Sequence, residues 1–390
     1  MQPSLSIVIP THNRAKYVIA TIRAIYHEVP CAEIVVADSS QEDCITPHLE
    51  EEIRLSGRLR LLPCEGPMSV VQNFERGYRG ATGKYLVFLG DDDFVHPSIE
   101  AVVKWAEANE VDALGSTLPA IYYWPDFIHR RLGNYHCATL SSKPFTGALS
   151  FYDAKQRMKE AAHDLGAGPL GMPRAYAGMV SMRMLERISE KYGSVFGGVS
   201  PDIFSSTLVA QESGRSAEFD FPFIVPGSSG KSTAGQSANG KHVGRLRAND
   251  HIGAFANLAW NACVPEFYAV QTVWSYSFIE ALRKIDFPDA LINYPRLYLK
   301  CLIMHPGYLH EIRKSFSARA AVIGRGRLLL QIVGAVPAEI AWVVRKLVRL
   351  VRMRIGKAEE TRYHVGGLDD TLQAARKSVE LFRFDPLWLT

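Results

Sequence analysis

Asp91, Asp92 and Asp93 stand in consecutive positions directly after the run Tyr85-Leu-Val-Phe-Leu-Gly90. Three adjacent carboxylates repel one another, so they either splay into water or share a hard divalent cation. Mg²⁺ typically takes one or two carboxylates and completes its shell with water and phosphate oxygens. The apolar run decides between these readings. It is uninterrupted and reads as a strand buried on both faces, the parallel-sheet pattern. Ligands of open α/β sheets bind outside the carboxyl ends of such strands. The triplet is therefore expected to face a site.

Other residues join it through the elements that carry them. Leu5-Ser-Ile-Val-Ile-Pro10 reads as a first strand, ended by a proline that cannot donate to a central ladder, and Thr11-His12-Asn13-Arg14 is the loop at its carboxyl end. Val18, Ile22 and Ile25 recur at helical spacing between Ala15 and Glu28, and Glu33–Asp38 reads as a second strand. Strand, helix and strand in that order form a right-handed unit, which puts the Thr11–Arg14 loop and Asp38 at one sheet edge. A helix is expected over 45–57, a strand over 58–64, and a helix over 68–80 carrying Gln72, Asn73 and Arg76. A helix over 97–109 with proline near its start and a strand over 111–116 follow. Asp38 and Asp91–Asp93 should thus converge on one cleft.

The middle of the chain is less regular. Residues 117–175 mix Tyr122, Tyr123, Trp124 and Tyr135 with proline and glycine, a makeup that serves a substrate pocket or a plain core equally. Ser200-Pro201-Asp202 opens a helix, and Asp202 falls in its first turn, where the helix dipole favours an ionised carboxylate. On its own that is an ordinary capping carboxylate. Pro226-Gly-Ser-Ser-Gly-Lys-Ser232 ends like a phosphate-binding loop, but Val225 stands where that motif needs glycine. A flexible, Ser/Gly-rich lid over a ligand is the expectation. His242 and His251 follow it, as further metal ligands or as surface histidines.

With 390 residues the chain has room for two domains, and a net charge of +4 is too mild to imply a nucleic-acid partner. Six scattered cysteines show no CxxC pair or zinc spacing, the usage of reduced cytosolic thiols. Residues 1–10 enter a strand pattern at once and leave no room for a signal peptide, so a cytoplasmic location is expected. From about residue 252 the pattern is helical, and residues 313–357 are strongly basic. Leu328–Val344 is apolar but carries Gln331, Pro337 and Glu339, short of the ~20 clean residues that a bilayer span requires. In Trp342–Ile355, Arg345, Arg349 and Arg352 recur at helical spacing among Val344, Leu347, Val348 and Val351. That composition suits an interfacial helix on an anionic membrane, or a surface helix packed on its own domain.

Taken jointly, Ser6-Ile-Val-Ile-Pro-Thr-His-Asn-Arg14, the strand ending in Asp38-Ser-Ser, Asn73-Phe, Ala81-Thr-Gly-Lys-Tyr85 and Leu89-Gly-Asp-Asp-Asp93 with Pro97 resemble the inverting family 2 glycosyltransferases. The bacterial type that builds surface polysaccharides is the nearest likeness, and Ser200-Pro201-Asp202 is a weaker match to it. The resemblance implies an α/β GT-A fold, a Rossmann-like, mostly parallel sheet flanked by helices, with a helical C-terminal extension. It divides the chain into a catalytic domain over 1–225 (nucleotide half 1–116, acceptor half 117–225), a lid over 226–250 and a helical region over 251–390.

It also implies the chemistry. A hexosyltransferase-type enzyme would move a sugar from a nucleotide diphosphate sugar, UDP-sugar favoured, to a glycan or lipid-linked saccharide, with Mg²⁺ or Mn²⁺ neutralising the leaving pyrophosphate. Pro10, Thr11, His12 and Arg14 would line the base pocket, with Asn73 also in the nucleotide site, and Asp38 would accept from the base. Asp91 would lie toward the ribose while Asp92 and Asp93 hold the metal, the order among the three being open. Asp202 would be the general base. An anionic membrane at the inner face of the cell is the expected partner surface. The alternatives are a catalytically silent binding or scaffold protein on the same fold, and a sugar nucleotidyltransferase, which would instead open with a glycine-rich, arginine-containing loop.

Overall fold

The structure is a computed structural model and describes residues 2–41, 45, 48–49, 57–62, 66–169, 171–239, 243–249, 252, 255, 258–354 and 361–389. Its strands are β1 (Leu5–Thr11), β2 (Glu33–Asp38), β3 (Leu59–Leu62), β4 (Tyr85–Phe88), β5 (Phe94–Val95), β6 (Ala113–Ser116), β7 (Ala120–Tyr123), β8 (Thr139–Ser142), β9 (Leu149–Tyr152), β10 (Gly178–Ser181), β11 (Ser216–Phe219), β12 (Ile224–Val225), β13 (Gly227–Ser228) and β14 (Tyr363–Val365). The main sheet runs in the order β3-β2-β1-β4-β10-β6-β11-β9. β3, β2, β1 and β4 are parallel, and β6 and β11 run the same way. Only β10 and β9 run against them. The sheet is therefore the mostly parallel one expected.

Burial explains why these residues form its centre. β2 and β4 are buried along almost their whole length, as strands covered by helices on both faces must be. The helix Ala15–Glu28 covers one face and turns Val18, Ile22 and Ile25 inward, as their spacing requires. The helix Val70–Gly80 covers the other. It opens on Ser69, whose hydroxyl accepts from the Gln72 amide while the Gln72 side chain accepts from the Ser69 amide, a closed capping box. Gly77 lets this helix approach, since a Cβ there would lie 2.6 Å from Val8 Cγ1.

Three features depart from the expectation. β10 inserts antiparallel between β4 and β6, so the nucleotide half and the acceptor half share one sheet. Residues 226–229 are built into the body rather than forming an irregular lid: β13 pairs with β7, and Gly227, Ser228 and Ser229 are buried. A short helix, Thr233–Ala238, follows. The C-terminal region is not separate either, because β14 pairs with β8 and the helix Thr371–Leu381 packs on Ala15–Glu28, with Phe382 fully buried in the main core. Tyr122 and Trp124 belong to that core, whereas Tyr135 is exposed. Most of the helix expected over 45–57 lies outside the described residues, as do His242 and His251.

Candidate active site

The register of the parallel strands builds the site. Thr11 lies beside Asp38, and Val8 beside Phe88, so the chain leaving β4 delivers Asp91–Asp93 next to the loop leaving β1. All three carboxylates are buried. Asp91 Oδ2 accepts from Thr11 Oγ1 at 2.9 Å, and its Oδ1 is ion-paired to Arg14 at 3.2 Å. Asp92 Oδ2 accepts from the Ser229 amide at 3.0 Å and its hydroxyl at 2.6 Å, and faces Arg14 Nη2 at 3.0 Å. Asp93 spends both oxygens on backbone amides, Gly90 at 2.9 Å and Gly227 at 2.6 Å. Of the six oxygens, Asp92 Oδ1 alone makes no hydrogen bond or ion pair among the described residues.

This sorts three residues that look equivalent in sequence. Asp93 was expected beside Asp92 as a metal ligand, yet its two backbone bonds make it the clasp that holds residues 227–229 over the triplet. Gly227 is required there, since a Cβ would lie 1.8 Å from the Asp92 carbonyl oxygen. Arg14 was expected at the base pocket and instead bridges Asp91, Asp92 and the Ser229 hydroxyl. Its single charge does not balance three. Burial, with the charge of Asp92 added, pushes the Asp91 carboxyl up to about 7 against the opposing pull of Arg14. Burial and then Asp92 push Asp93 up to about 7 as well.

The remaining expected residues line the same edge. Asp38 is buried and accepts from the Ser40 amide. Asn73 donates to the carbonyls of Ala37 and Thr11, and so ties the loop after β1 to the end of β2 from the covering helix. Arg76 donates to the Asp38 carbonyl and to Asn73 Oδ1. His12 sits more openly, its Nδ1 within 2.9 Å of the Ser39 carbonyl oxygen. Pro10 precedes Thr11 in the strand, half-buried.

Asp202 lies farther along the chain, and its charge acts on Tyr176. Its helix, Pro201–Glu212, starts with proline and with Asp202 in the first turn, and the Ser277 hydroxyl fixes that start by accepting from the amides of Val199 and Ser200. Tyr176, whose hydroxyl lies beside Gly90 as Asp93 does, escaped the reading of the sequence. Its phenol is held well above the usual range, first by Asp93, then by burial, then by Asp92, Asp91 and Asp202, and so stays protonated. It follows the loop that enters β10, and no local signal marks it. A Cβ on Gly90 would meet its hydroxyl at 2.7 Å, which explains glycine before the triplet.

Where β6 meets β10 the sheet carries a cavity of about 250 Å³. Its floor is the cross-strand pair Gly115 and Gly178, with nothing within 4 Å of a Cβ on Gly115. Arg174, Tyr152 and Glu218 line it. Glu218 is ion-paired to Arg157, while Arg174 makes no hydrogen bond or ion pair among the described residues.

A divalent cation fits this donor set in a limited way. Among the described residues no group of three His, Cys, Asp or Glu side chains could hold a metal by itself. One unpartnered carboxylate oxygen beside a second carboxylate matches a cation that takes few protein ligands and fills its shell from phosphate.

Residues 6–168 match the family described as Glycosyl transferase family 2. An uncharacterized glycosyltransferase of Haemophilus influenzae is 28% identical over 122 residues, which cover 30% of this chain and 38% of that relative's length. Among solved structures, Staphylococcus aureus TarS 1-349 in complex with UDP-GlcNAc aligns over 98% of this chain and 94% of that one at 13% identity, with a TM-score of 0.44. The mannosyltransferase PcManGT from Pyrobaculum calidifontis, in complex with GDP-Man and Mn²⁺, aligns over 99% and 89% at 15% identity, with a TM-score of 0.42. The stretch that matches the family 2 glycosyltransferase model, residues 6–168, is the one whose signature residues gather at the carboxyl edge of the mostly parallel sheet.

Proposed function

We propose that this chain transfers a sugar, with inversion, from a nucleotide diphosphate sugar to a saccharide acceptor. The observation that supports the reading is the buried triplet, three carboxylates against the single guanidinium of Arg14, at the sheet edge where Thr11 lies beside Asp38. The donor base lies over the loop after β1, with His12 against its ring and Asp38 accepting from it. Asp91 faces the ribose. Asp92 is the protein ligand for Mg²⁺ or Mn²⁺, which supplies charge neutralisation at the leaving pyrophosphate. Arg14, already on Asp91 and Asp92, adds a second positive charge beside that position.

The acceptor enters from the cavity floored by Gly115 and Gly178, with Arg174 available to its polar or anionic groups. Asp202 takes the proton of the acceptor hydroxyl as that oxygen bonds to the anomeric carbon and the bond to the diphosphate breaks. Tyr176, protonated between the carboxylates, positions Asp202 and the triplet relative to each other. UDP is the favoured base carrier, and a cell-surface polysaccharide the favoured product.

A thermal-shift series of nucleoside diphosphates with and without Mn²⁺ tests this. A ligand at a hundred times its Kd adds ~2.7 kcal/mol of stability. The expected result is one nucleotide, UDP, whose shift grows with Mn²⁺ in the wild type and loses that growth in Asp92→Asn. Asp92 is preferred to Asp93 for the test because its Oδ1 makes no hydrogen bond or ion pair among the described residues, whereas backbone amides take both oxygens of Asp93. An undiminished Mn²⁺ effect in Asp92→Asn would overturn the metal assignment, and no shift with any nucleotide would overturn the function.

A further inference from the structure

The helix Arg325–Arg354 runs unbroken for 30 residues through Pro337, joining two stretches that read separately in the sequence. Taken together, Arg325–Arg349 is long and apolar enough to cross a bilayer, with a mean hydropathy of 1.6, and only 17% of that window is buried. Ordinary amphipathic packing turns the apolar residues to the core, and here the fold buries only a few of them. Leu328, Ala335 and Glu339 turn inward onto the helices Tyr294–Met304 and Leu309–Ile323. Leu329, Val333, Ile340, Val344, Leu347 and Val351 recur at helical spacing on the opposite side, and all are exposed.

We infer that this outward face is a docking surface for an anionic lipid membrane, on which the helix lies flat rather than crossing. Two observations select that occupant. The first is charge. Glu339 is the only acidic residue in the helix and it is buried, while Arg325, Arg327, Arg345, Lys346, Arg349 and Arg352 are exposed. At 3.6 residues per turn, Arg327, Arg345 and Arg352 fall along one flank of the apolar stripe, where side chains reach headgroups while the stripe enters the acyl boundary. A second copy of the helix would bring basic ends together in either orientation, parallel or antiparallel.

The second observation is the anchor. Glu339 Oε1 is 2.5 Å from Arg296 Nε and 2.8 Å from Lys300 Nζ, both on the helix Tyr294–Met304. A spanning helix would have to leave the body, leave two buried cations with Asp164 alone and carry Glu339 into hydrocarbon. Held at its middle, the helix keeps its body-facing side dry and offers only the opposite side. The inference stands on this face alone and does not depend on the transferase reading.

Co-sedimentation of the full chain with vesicles of equal parts phosphatidylglycerol and phosphatidylcholine tests it, with pure phosphatidylcholine vesicles alongside. Binding to the anionic vesicles at low salt, released at high salt, is expected. Arg345→Glu with Arg352→Glu should weaken it on the order of a hundredfold or more, and Ile340→Asp with Leu347→Asp should abolish it. All four side chains are exposed, so circular dichroism and thermal unfolding should match wild type. Asp92→Asn should bind vesicles as wild type does, which separates failure here from failure of the donor site. Three results would overturn the inference: equal recovery in the supernatant with and without vesicles; binding that resists high salt and yields only to detergent, the mark of a span; or sedimentation velocity showing a dimer that the Ile340 and Leu347 substitutions dissociate.

Discussion

Two of the buried charge clusters among the described residues are built differently. Between the helices Tyr294–Met304 and Arg325–Arg354, Lys300 and Arg296 meet Glu339 and Asp164, two cations against two carboxylates, with contacts of 2.5–2.8 Å. At the edge of the sheet, three carboxylates meet one guanidinium. A balanced cluster recovers in mutual attraction much of what desolvation costs, and needs nothing from outside. An unbalanced one is a standing demand for positive charge. The contrast sets a cluster that is balanced within the fold against the one at which the proposed donor and cation would bind.

The sharpest way to test that division is on the functional side. Asp202→Asn removes the proposed base from a helix start that proline and Ser277 fix, and thermal unfolding of the variant checks that the fold is kept. Turnover is expected to drop by a factor on the order of 10²–10⁴, with donor affinity little changed. Collapse of donor affinity with turnover intact at saturation would move Asp202 from catalysis to binding.

The balanced cluster should respond in the opposite way. Glu339→Leu leaves Lys300 and Arg296, both buried, with Asp164 as their sole counterion in the cluster, and should cost about 3–5 kcal/mol of unfolding free energy in chemical denaturation. Adding Lys300→Met should restore much of the loss, because removing both partners is far cheaper than stranding one. If the double variant is as unstable as the single one, the cluster is not an electrostatic unit. Neither change should alter donor binding.

The same contrast explains what could be read from the sequence. β1, β2, β4 and the helix Ala15–Glu28 follow local patterns, and the parallel register they impose brings Thr11, Asp38 and Asp91 together. The site was legible to that extent because its residues sit at strand ends. What decides the roles within the triplet is not local. Asp93 is clasped by Gly227, 134 positions away, and Asp92 by Ser229. The string Gly-Ser-Ser-Gly promises flexibility, yet those small residues serve close approach to the triplet. Tyr176 and β10 arrive through an irregular segment with no periodicity to announce them. Lys300 and Glu339 each look like ordinary surface residues until two helices meet.

The smallest effect is the dependence of stability on pH, and it again tells the clusters apart. The Asp91 and Asp93 carboxyls titrate near 7 in the fold against 3.8 for the ordinary side chain. Between those values the folded state binds more protons than the unfolded one, so this contribution rises as pH falls from about 7 toward 4 and is at its worst above 7. His96 works the other way. Burial holds it down at about 4, so the unfolded state takes up its proton first and stability is lost as pH falls below 6.5. The two can be separated by comparing wild type with Asp91→Asn, which keeps His96 unchanged. Wild type should gain on the variant as pH falls from 7 to 5, by at most ~1.4 kcal/mol per pH unit for each proton taken up. Mn²⁺ with the nucleotide should flatten that gain by holding the carboxylates ionised. A pH-independent difference between the two proteins would mean that Arg14 and the backbone amides already satisfy the triplet, and that the imbalance driving the proposed ligand does not exist.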